Sequence, residues 1–286
     1  MTTTVTLTGT GVPHPAPGRA GSGTLVRHGE VALQFDAGRG TVIRLAEAGC
    51  EPNALTAVFV THVHSDHLVG LADVAMTHWI LQQMRSTAPL TIVTPEGLPA
   101  RFVARMLDPY DDDVALRMAH VQPEGPQHVV TAFAVPAEPA EVWASADGAV
   151  RVDAVAVHHE PVPDAVAYRV RTPDGAVVIS GDTRVCAEVE QLATGADLLV
   201  HEACRATPLA PLIAGTRFEQ IFSYHADTVP LGAAAERSGV PHVVLTHLIP
   251  APETPEQEET FVQDLRAGGY TGAISVGRDL MTFTIG

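Results

Sequence analysis

The segment Val58-Phe-Val-Thr-His-Val-His-Ser-Asp-His-Leu68 places His62, His64, Asp66 and His67 within six positions, directly after an apolar run. Imidazole and carboxylate groups are the side chains that ligate divalent cations such as zinc, manganese and iron. In a strand-to-helix turn, side chains at i and i+2 face one point, while those at i+4 and i+5 wrap toward a second point nearby. Two adjacent metal ions suit this pattern better than one, because a single tetrahedral ion would be crowded by four neighbours in one short loop. The bland alternative is a polar loop whose histidines cap the next helix. It does not account for the order His-x-His-x-Asp-His at the end of a buried strand.

A dinuclear site needs further ligands, each at the end of a strand, and three positions supply them. His159, with His158 beside it, follows an alternating run. Asp182 closes Val177-Val-Ile-Ser-Gly-Asp182, where Gly181 permits a close backbone approach. His247 closes Val243-Val-Leu-Thr-His247. A single histidine at a strand end is more often structural than ligating. Three such positions downstream of the first cluster point to a two-metal hydrolytic site.

The elements that must carry these residues alternate between strands and helices. Strands are expected at 5–8, 23–28, 31–36, 57–60 and 90–93, with helices at 40–48, 71–83 and 99–107 and an acidic turn at 108–113. The pattern then restarts. Residues 150–158 alternate, and 166–171 and 176–180 flank an Asp174-Gly175 turn as a hairpin. Helices at 187–193, 228–238 and 256–267 are interleaved with strands at 197–201, 243–246 and 273–276. Two halves, roughly 1–120 and 148–286, joined by a Pro-rich segment and free of repeats, suggest a layered α/β sandwich in one domain.

Composition narrows the chemistry. The 286 residues carry 33 acidic and 17 basic side chains, for a formal net charge of −16. Every basic residue is arginine, which excludes Schiff-base catalysis and a lysine-bearing phosphate loop. An apolar content of 46% is that of a globular protein. The acidity argues against nucleic acid and against an anionic membrane surface as partners. Cys50, Cys186 and Cys204 lack ligand or disulfide spacing and read as buried reduced thiols of a cytoplasmic protein. The first residues, Met1-Thr-Thr-Thr-Val-Thr-Leu-Thr, alternate like a strand rather than a signal peptide. His14, His28, His78, His120, His128 and His242 are expected on the surface or on helix faces. His201 is expected on a buried strand near the ligands, and Asp111-Asp-Asp113 in a solvated turn.

At this point the residues resemble a family. His62-x-His64-x-Asp66-His67, followed by His159, Asp182 and His247, is similar in order and context to the metallo-β-lactamase superfamily signature. The resemblance spans nearly the whole chain and is strongest to the branch of ribonuclease Z and the arylsulfatase- and phosphodiesterase-like enzymes. Thr8-Gly-Thr-Gly-Val-Pro13 with Arg19 and Ser22-Gly-Thr-Leu-Val26, Asp36-Ala-Gly-Arg-Gly-Thr41, Leu199-Val-His-Glu-Ala203 and His225-Ala-Asp-Thr-Val-Pro-Leu-Gly-Ala233 carry it. It implies a four-layer αβ/βα sandwich with mixed sheets. It also implies that His62, His64 and His159 hold one metal, that Asp66, His67 and His247 hold the other, and that Asp182 bridges them. His159 is preferred to His158 on the spacing of the following Glu-Pro-Val. The two divalent ions, zinc first with manganese or iron as alternatives, would acidify a shared water to hydroxide.

The resemblance further implies that His225, paired with Glu202, contacts the substrate oxyanion or protonates the leaving group. Helix capping by His225 and amide orientation by Glu202 are the structural alternatives. Asp36 is the candidate acceptor behind a ligating histidine, and Phe222 and Tyr224 are the aromatic residues nearest His225. Ribonuclease Z is expected to insert a long tRNA-gripping arm between the third ligand segment and the bridging Asp, where this chain has only the hairpin. The expected reaction is therefore hydrolysis of a small phosphodiester, arylsulfate, carboxylic ester or lactone by a homodimer. A ribonuclease Z-like RNA endonuclease and an iron-dependent oxygenase are the alternatives. Residues 108–147 are expected to shape the pocket mouth or a dimer contact.

Overall fold

Short β-branched runs separated by Gly, Pro and Asp cannot bury their apolar faces alone, so they pair into sheets whose faces meet. The computed structural model describes residues 2–82, 88–121 and 124–286. Its strands, in chain order, are β1 (Thr3–Gly9), β2 (Gly23–His28), β3 (Val31–Phe35), β4 (Ala57–Phe59), β5 (Leu90–Pro95), β6 (His128–Phe133), β7 (Ala140–Ala144), β8 (Arg151–Ala156), β9 (Val166–Thr172), β10 (Gly175–Ile179), β11 (Leu198–Cys204), β12 (His242–Ile249), β13 (Ala273–Val276) and β14 (Thr282–Ile285). One sheet runs β14-β1-β2-β3-β4-β5-β6, the other β13-β12-β11-β10-β9-β8-β7. Both sheets are mixed. Each joins an antiparallel meander to a run of parallel strands. The inner parallel strands β4 and β11 are buried along their whole length, as strands covered on both faces are.

The helices lie outside the sheets: α1 (Thr41–Glu47), α2 (Ser65–Leu68), α3 (Leu71–Gln82), α4 (Leu98–Val103) and α5 (Asp111–His120) in the first half, then α6 (Ala187–Ala193), α7 (Ala206–Ile213), α8 (Arg217–Phe222), α9 (Thr228–Ser238) and α10 (Pro255–Ala267). The central core between the sheets includes Leu7, Phe35, Phe59, Val152, Tyr168, Val177 and Val200. An outer core packs α3 onto the first sheet through Leu71, Val74 and Val58. Another packs α6, α9 and α10 onto the second through Leu192, Leu231 and Leu265. The result is the expected four-layer αβ/βα sandwich.

The structure departs from expectation where side chains are exposed. Residues 111–113 begin α5 instead of ending a turn; carboxylates in a first turn complement the helix dipole, and α5 buries no side chain that would have announced it. The expected helix at 99–107 spans only Leu98–Val103, and Gln83, its counterpart at the end of α3, lies outside the described residues. The joining segment is not a passive linker. It supplies β6 to the edge of one sheet and β7 to the edge of the other. Both strands are largely solvent-facing, so neither shows an alternating pattern. Of the cysteines, Cys50 and Cys204 are buried but Cys186 is only half-buried.

The loop bearing the candidate ligands is stitched to the end of β3 by backbone bonds, Ala37 N–H to His67 O (2.7 Å) and Gly70 N–H to Ala37 O (2.9 Å). This close approach requires glycine at position 38, where a Cβ would stand 2.2 Å from the Asp66 carbonyl oxygen and 2.4 Å from Gly21 C. The Gly38→Ala variant is expected to lose about 1–3 kcal/mol of stability through overpacking, read as a lowered Tm. Gly125→Ala, whose nearest neighbour would be Met118 Sδ at 3.4 Å, should stay near wild type. Equal melting of the two variants would refute this reading.

Candidate metal centre

The side chains come from segments that follow three strands, β4, β8 and β10, and from within a fourth, β12. His62 and His64 lie on the loop after β4, and Asp66 and His67 on α2, whose first turn follows immediately. His159 follows β8, and Asp182 follows β10. His247 sits inside β12, not at its end: the register with β11 pairs Thr246 with Glu202 and Leu248 with Ala203, leaving His247 as the extra residue of a β-bulge. Its φ of 44° turns the imidazole out of the sheet, as bulges do beside functional sites. Gly181, the residue before Asp182, has a φ of 59° and packs so closely that a Cβ there would stand 2.9 Å from Thr61 Cβ.

Seven side chains converge. His62, His64, His159 and Asp182 each offer one ligand atom, all within 4.8 Å of one another, and so do Asp66, His67 and His247. Asp182 lies between the two groups. Its Oδ1 is 3.2 Å from His67 Nε2, and its Oδ2 is 3.3 Å from His247 Nε2 and 3.8 Å from both His62 Nε2 and His159 Nε2. All but His64 are buried. His62 Nε2, His67 Nε2 and Asp182 Oδ1 have no hydrogen-bond partner. A buried polar atom left unpaired costs about 1–3 kcal/mol, so several facing one point fit a site built for cations. His158 turns away, to Glu188 (3.1 Å).

Three of the candidate histidines, His62, His67 and His159, are held by a bond from Nδ1, on the side of the ring away from Nε2. Asp36 accepts from His67 Nδ1 (2.7 Å) and from the Thr61 amide (2.8 Å) and hydroxyl (2.7 Å). Thr61 Oγ1 in turn accepts from His62 Nδ1 (3.0 Å). His159 Nδ1 donates to the backbone carbonyl of Tyr224 (3.1 Å). These contacts fix the tautomer and leave Nε2 for a metal. Thr61 and the Tyr224 carbonyl were not found from sequence: a hydroxyl beside a histidine is common, and a carbonyl leaves no trace in residue type. The Phe222 ring is buried beside Phe218 instead of facing the ligands, and His201 Nδ1 donates to the adjacent Glu202 carbonyl (2.8 Å).

Charge is arranged for ligation. Burial, reinforced by the neighbouring His67, holds the His62 imidazole neutral, well below its ordinary pKa, and burial with His159 lowers His64. Burial works against ionisation of Asp182, yet His247 and His67 outweigh it and keep the carboxyl well below its usual range. Burial likewise opposes a charge on His67, but Asp182, Asp36 and Asp66 push it well upward. Neutral His62 and His64 beside an ionised Asp182 are ligating forms, whereas a cation would have to displace the proton that these carboxylates hold on His67.

A second arrangement flanks the cluster. His225 Nδ1 lies 2.9 and 3.1 Å from the two oxygens of buried Glu202, and its ring stacks on His247 with centroids 5.3 Å apart. Burial opposes charging of this ring, but the Glu202 carboxylate outweighs it and moves the pKa up to about 9. Glu202 also accepts the Thr183 amide (2.8 Å), so both roles considered for it coexist. Helix capping by His225 does not: α9 starts at Thr228 with Asp227 at its N-cap.

The comparisons agree with this geometry. The Beta-lactamase superfamily domain matches residues 34–248, and the chain belongs to the metallo-β-lactamase superfamily. It is a metal-dependent hydrolase near the ribonuclease Z branch. Ribonuclease Z of Mycobacterium bovis (strain BCG / Pasteur 1173P2) is 38% identical over 276 residues, 96% of each chain. Ribonuclease Z of Mycobacterium sp. (strain KMS) is 38% identical over 280 residues, 96% of this chain and 94% of the relative. Among solved structures, the metallo-β-lactamase fold protein YhfI from Bacillus subtilis (TM-score 0.76, 18% identity, 99% of this chain and 100% of that one) and human tRNase Z, short form (TM-score 0.71, 20% identity, 99% of each), share the fold.

These relatives overturn one expectation, that nucleic acid is not a partner. Proteins named for RNA cleavage match nearly the whole chain, so a nucleic-acid partner is expected. Two physical reasons explain the error. A net charge averages over the surface, whereas phosphate recognition is local. The hairpin in place of an arm does not separate this chain from the relatives, since alignment over 96% of both leaves no room for a long insertion in one alone. No helix among the described residues is long and apolar enough to cross a membrane.

The Asp36→Ala variant is expected to bind metal about 10–100-fold more weakly, measured by competition with a chromogenic chelator. Unchanged affinity would show that the hydrogen bond to His67 does not orient a ligand.

Proposed function

We propose that the chain is a ribonuclease Z-type endonuclease, hydrolysing a phosphodiester bond in RNA. The observation that carries this reading is 38% identity to a ribonuclease Z over 96% of both chains, in a chain whose buried histidines and aspartates converge as two groups around Asp182. The same comparisons support hydrolysis of a small ester only as a coarser description. His62, His64 and His159 would hold one divalent ion, and Asp66, His67 and His247 the other, with Asp182 shared. A histidine-rich nitrogen and oxygen donor set favours zinc. When bound, such ions supply Lewis-acid polarisation of the phosphoryl oxygen and acidify a water.

The chain's own groups do the rest. The buried wall of the cluster excludes solvent and holds Asp66 and Asp182 ionised. Glu202 fixes His225 by its Nδ1–H and keeps the ring charged, so the imidazolium can donate a proton to the departing oxygen or a hydrogen bond to the charged phosphoryl group. Thr183, on the loop beside Asp182, ties Glu202 to the metal-bearing segment.

The test is cleavage of an end-labelled tRNA transcript extended at its 3′ end, with zinc- and manganese-loaded protein. Wild type should cut it at a defined position, chelation should stop the cut and lower the Tm, and His64→Ala should lose metal and activity together. Glu202→Gln should keep its metal and lower kcat about 10²–10⁴-fold. Turnover of chromogenic phosphodiesters with an intact transcript would reject the RNA reading, and abundant iron with dioxygen-dependent turnover would reject hydrolysis.

A further inference from the structure

We infer that Arg101, on the outer face of α4, is an RNA-binding residue that holds a phosphate of the substrate next to the one being cleaved. This rests on the endonuclease reading and extends it to how an acidic chain holds a polyanion.

Helix α4 is wedged between the two loops that carry metal-binding histidines. On one side, Val63, the residue between His62 and His64, lines an open groove of about 730 Å³ with Leu98, Arg101, Phe102 and Arg105. On the other, Arg101 also lines a hollow of about 550 Å³ with Gly97 at the start of α4 and with Pro163 and Asp164 of the loop after His159. The helix start is anchored to that loop, because the Leu98 amide donates to Asp164 Oδ2 (3.1 Å). Arg101 therefore stands between two depressions, one lined by Val63 of the first candidate-ligand loop and the other by Pro163 and Asp164 of the loop after His159.

Its charge is unspent. Most arginines of this chain are tied up: Arg205 with Asp264 (2.6 Å), Arg237 with Glu190 (2.7 Å), Arg44 with Asp279 (2.9 Å), and Arg169 with three carbonyls. Arg101 is exposed, and its guanidinium makes no hydrogen bond or ion pair with any described residue. The acidic groups around it are occupied or turned elsewhere: Asp108 pairs with Arg105 (3.6 Å) and Asp164 accepts the Leu98 amide; Glu96 is exposed on the rim of the far hollow. A scissile phosphate at the cluster leaves its neighbours in the chain to pass over Val63. A free guanidinium one step beyond, above the apolar floor of Val63 and Phe102, offers the fork that a phosphate accepts bidentately.

The experiment compares metal-loaded wild type, Arg101→Ala and Arg101→Lys on the same extended tRNA transcript across a range of salt. Metal content and Tm serve as the check that each variant is folded. Arg101→Ala is expected to raise KM about tenfold with kcat little changed, and to reduce the slope of log(kcat/KM) against log salt by about one. Arg101→Lys should restore the salt slope and recover part of KM. A KM and salt slope equal to wild type in Arg101→Ala would overturn this assignment while leaving RNA cleavage standing. Failure of wild type to cut RNA would overturn both readings together.

Discussion

Asp182 carries two carboxylate oxygens into a buried space where four histidine side chains come within 3.8 Å of them. A carboxylate and several imidazoles shut away from water repel, desolvate and strand one another's polar atoms unless something positive is shared among them. Much of the surrounding architecture holds this cluster closed. Gly181 supplies the left-handed turn before Asp182 and lies against Thr61, the bulge at His247 turns one imidazole inward, and Gly38 lets the α2 loop lie against the end of β3. Tyr168 adds an anchor from the core, donating from its hydroxyl to the Val60 carbonyl (2.6 Å) at the root of the first ligand loop.

The four-layer sandwich serves that cluster by a division of labour. Parallel strands with apolar faces build rigid sheets, and the loops at their ends carry the polar groups. Glu202 belongs to both parts. It lies within β11, fully buried, and reaches across to His225 and to the Thr183 amide. A charge so deep in a strand is costly unless each oxygen is satisfied, and here both oxygens are.

Legibility in the sequence followed the nature of each interaction. The candidate ligands were readable because only a few residue types bind metals and because their spacing follows the strands, and the structure brings those side chains together. His159 was separable from His158 only by comparison with relatives' spacing; in the structure the carbonyl of Tyr224 and the side chain of Glu188 draw the two rings apart. Contacts made by backbone atoms were invisible, since Tyr224 acts through its carbonyl and His247 through a bulge that no residue type announces. Strands β6 and β7 escaped because their exposed side chains follow no alternation. The error over nucleic acid had another origin. A charge of −16 describes the whole chain, while a phosphate meets only a few side chains, so the local arrangement of charge decides.

The account turns on one shared carboxylate serving two ions, and the most direct measurement is the metal content of wild type beside Asp182→Asn, each purified intact and weighed by native mass spectrometry. The shared role predicts two divalent ions per wild-type chain and a variant that remains folded but holds at most one, weakly. Two ions retained at wild-type affinity by Asp182→Asn would contradict it.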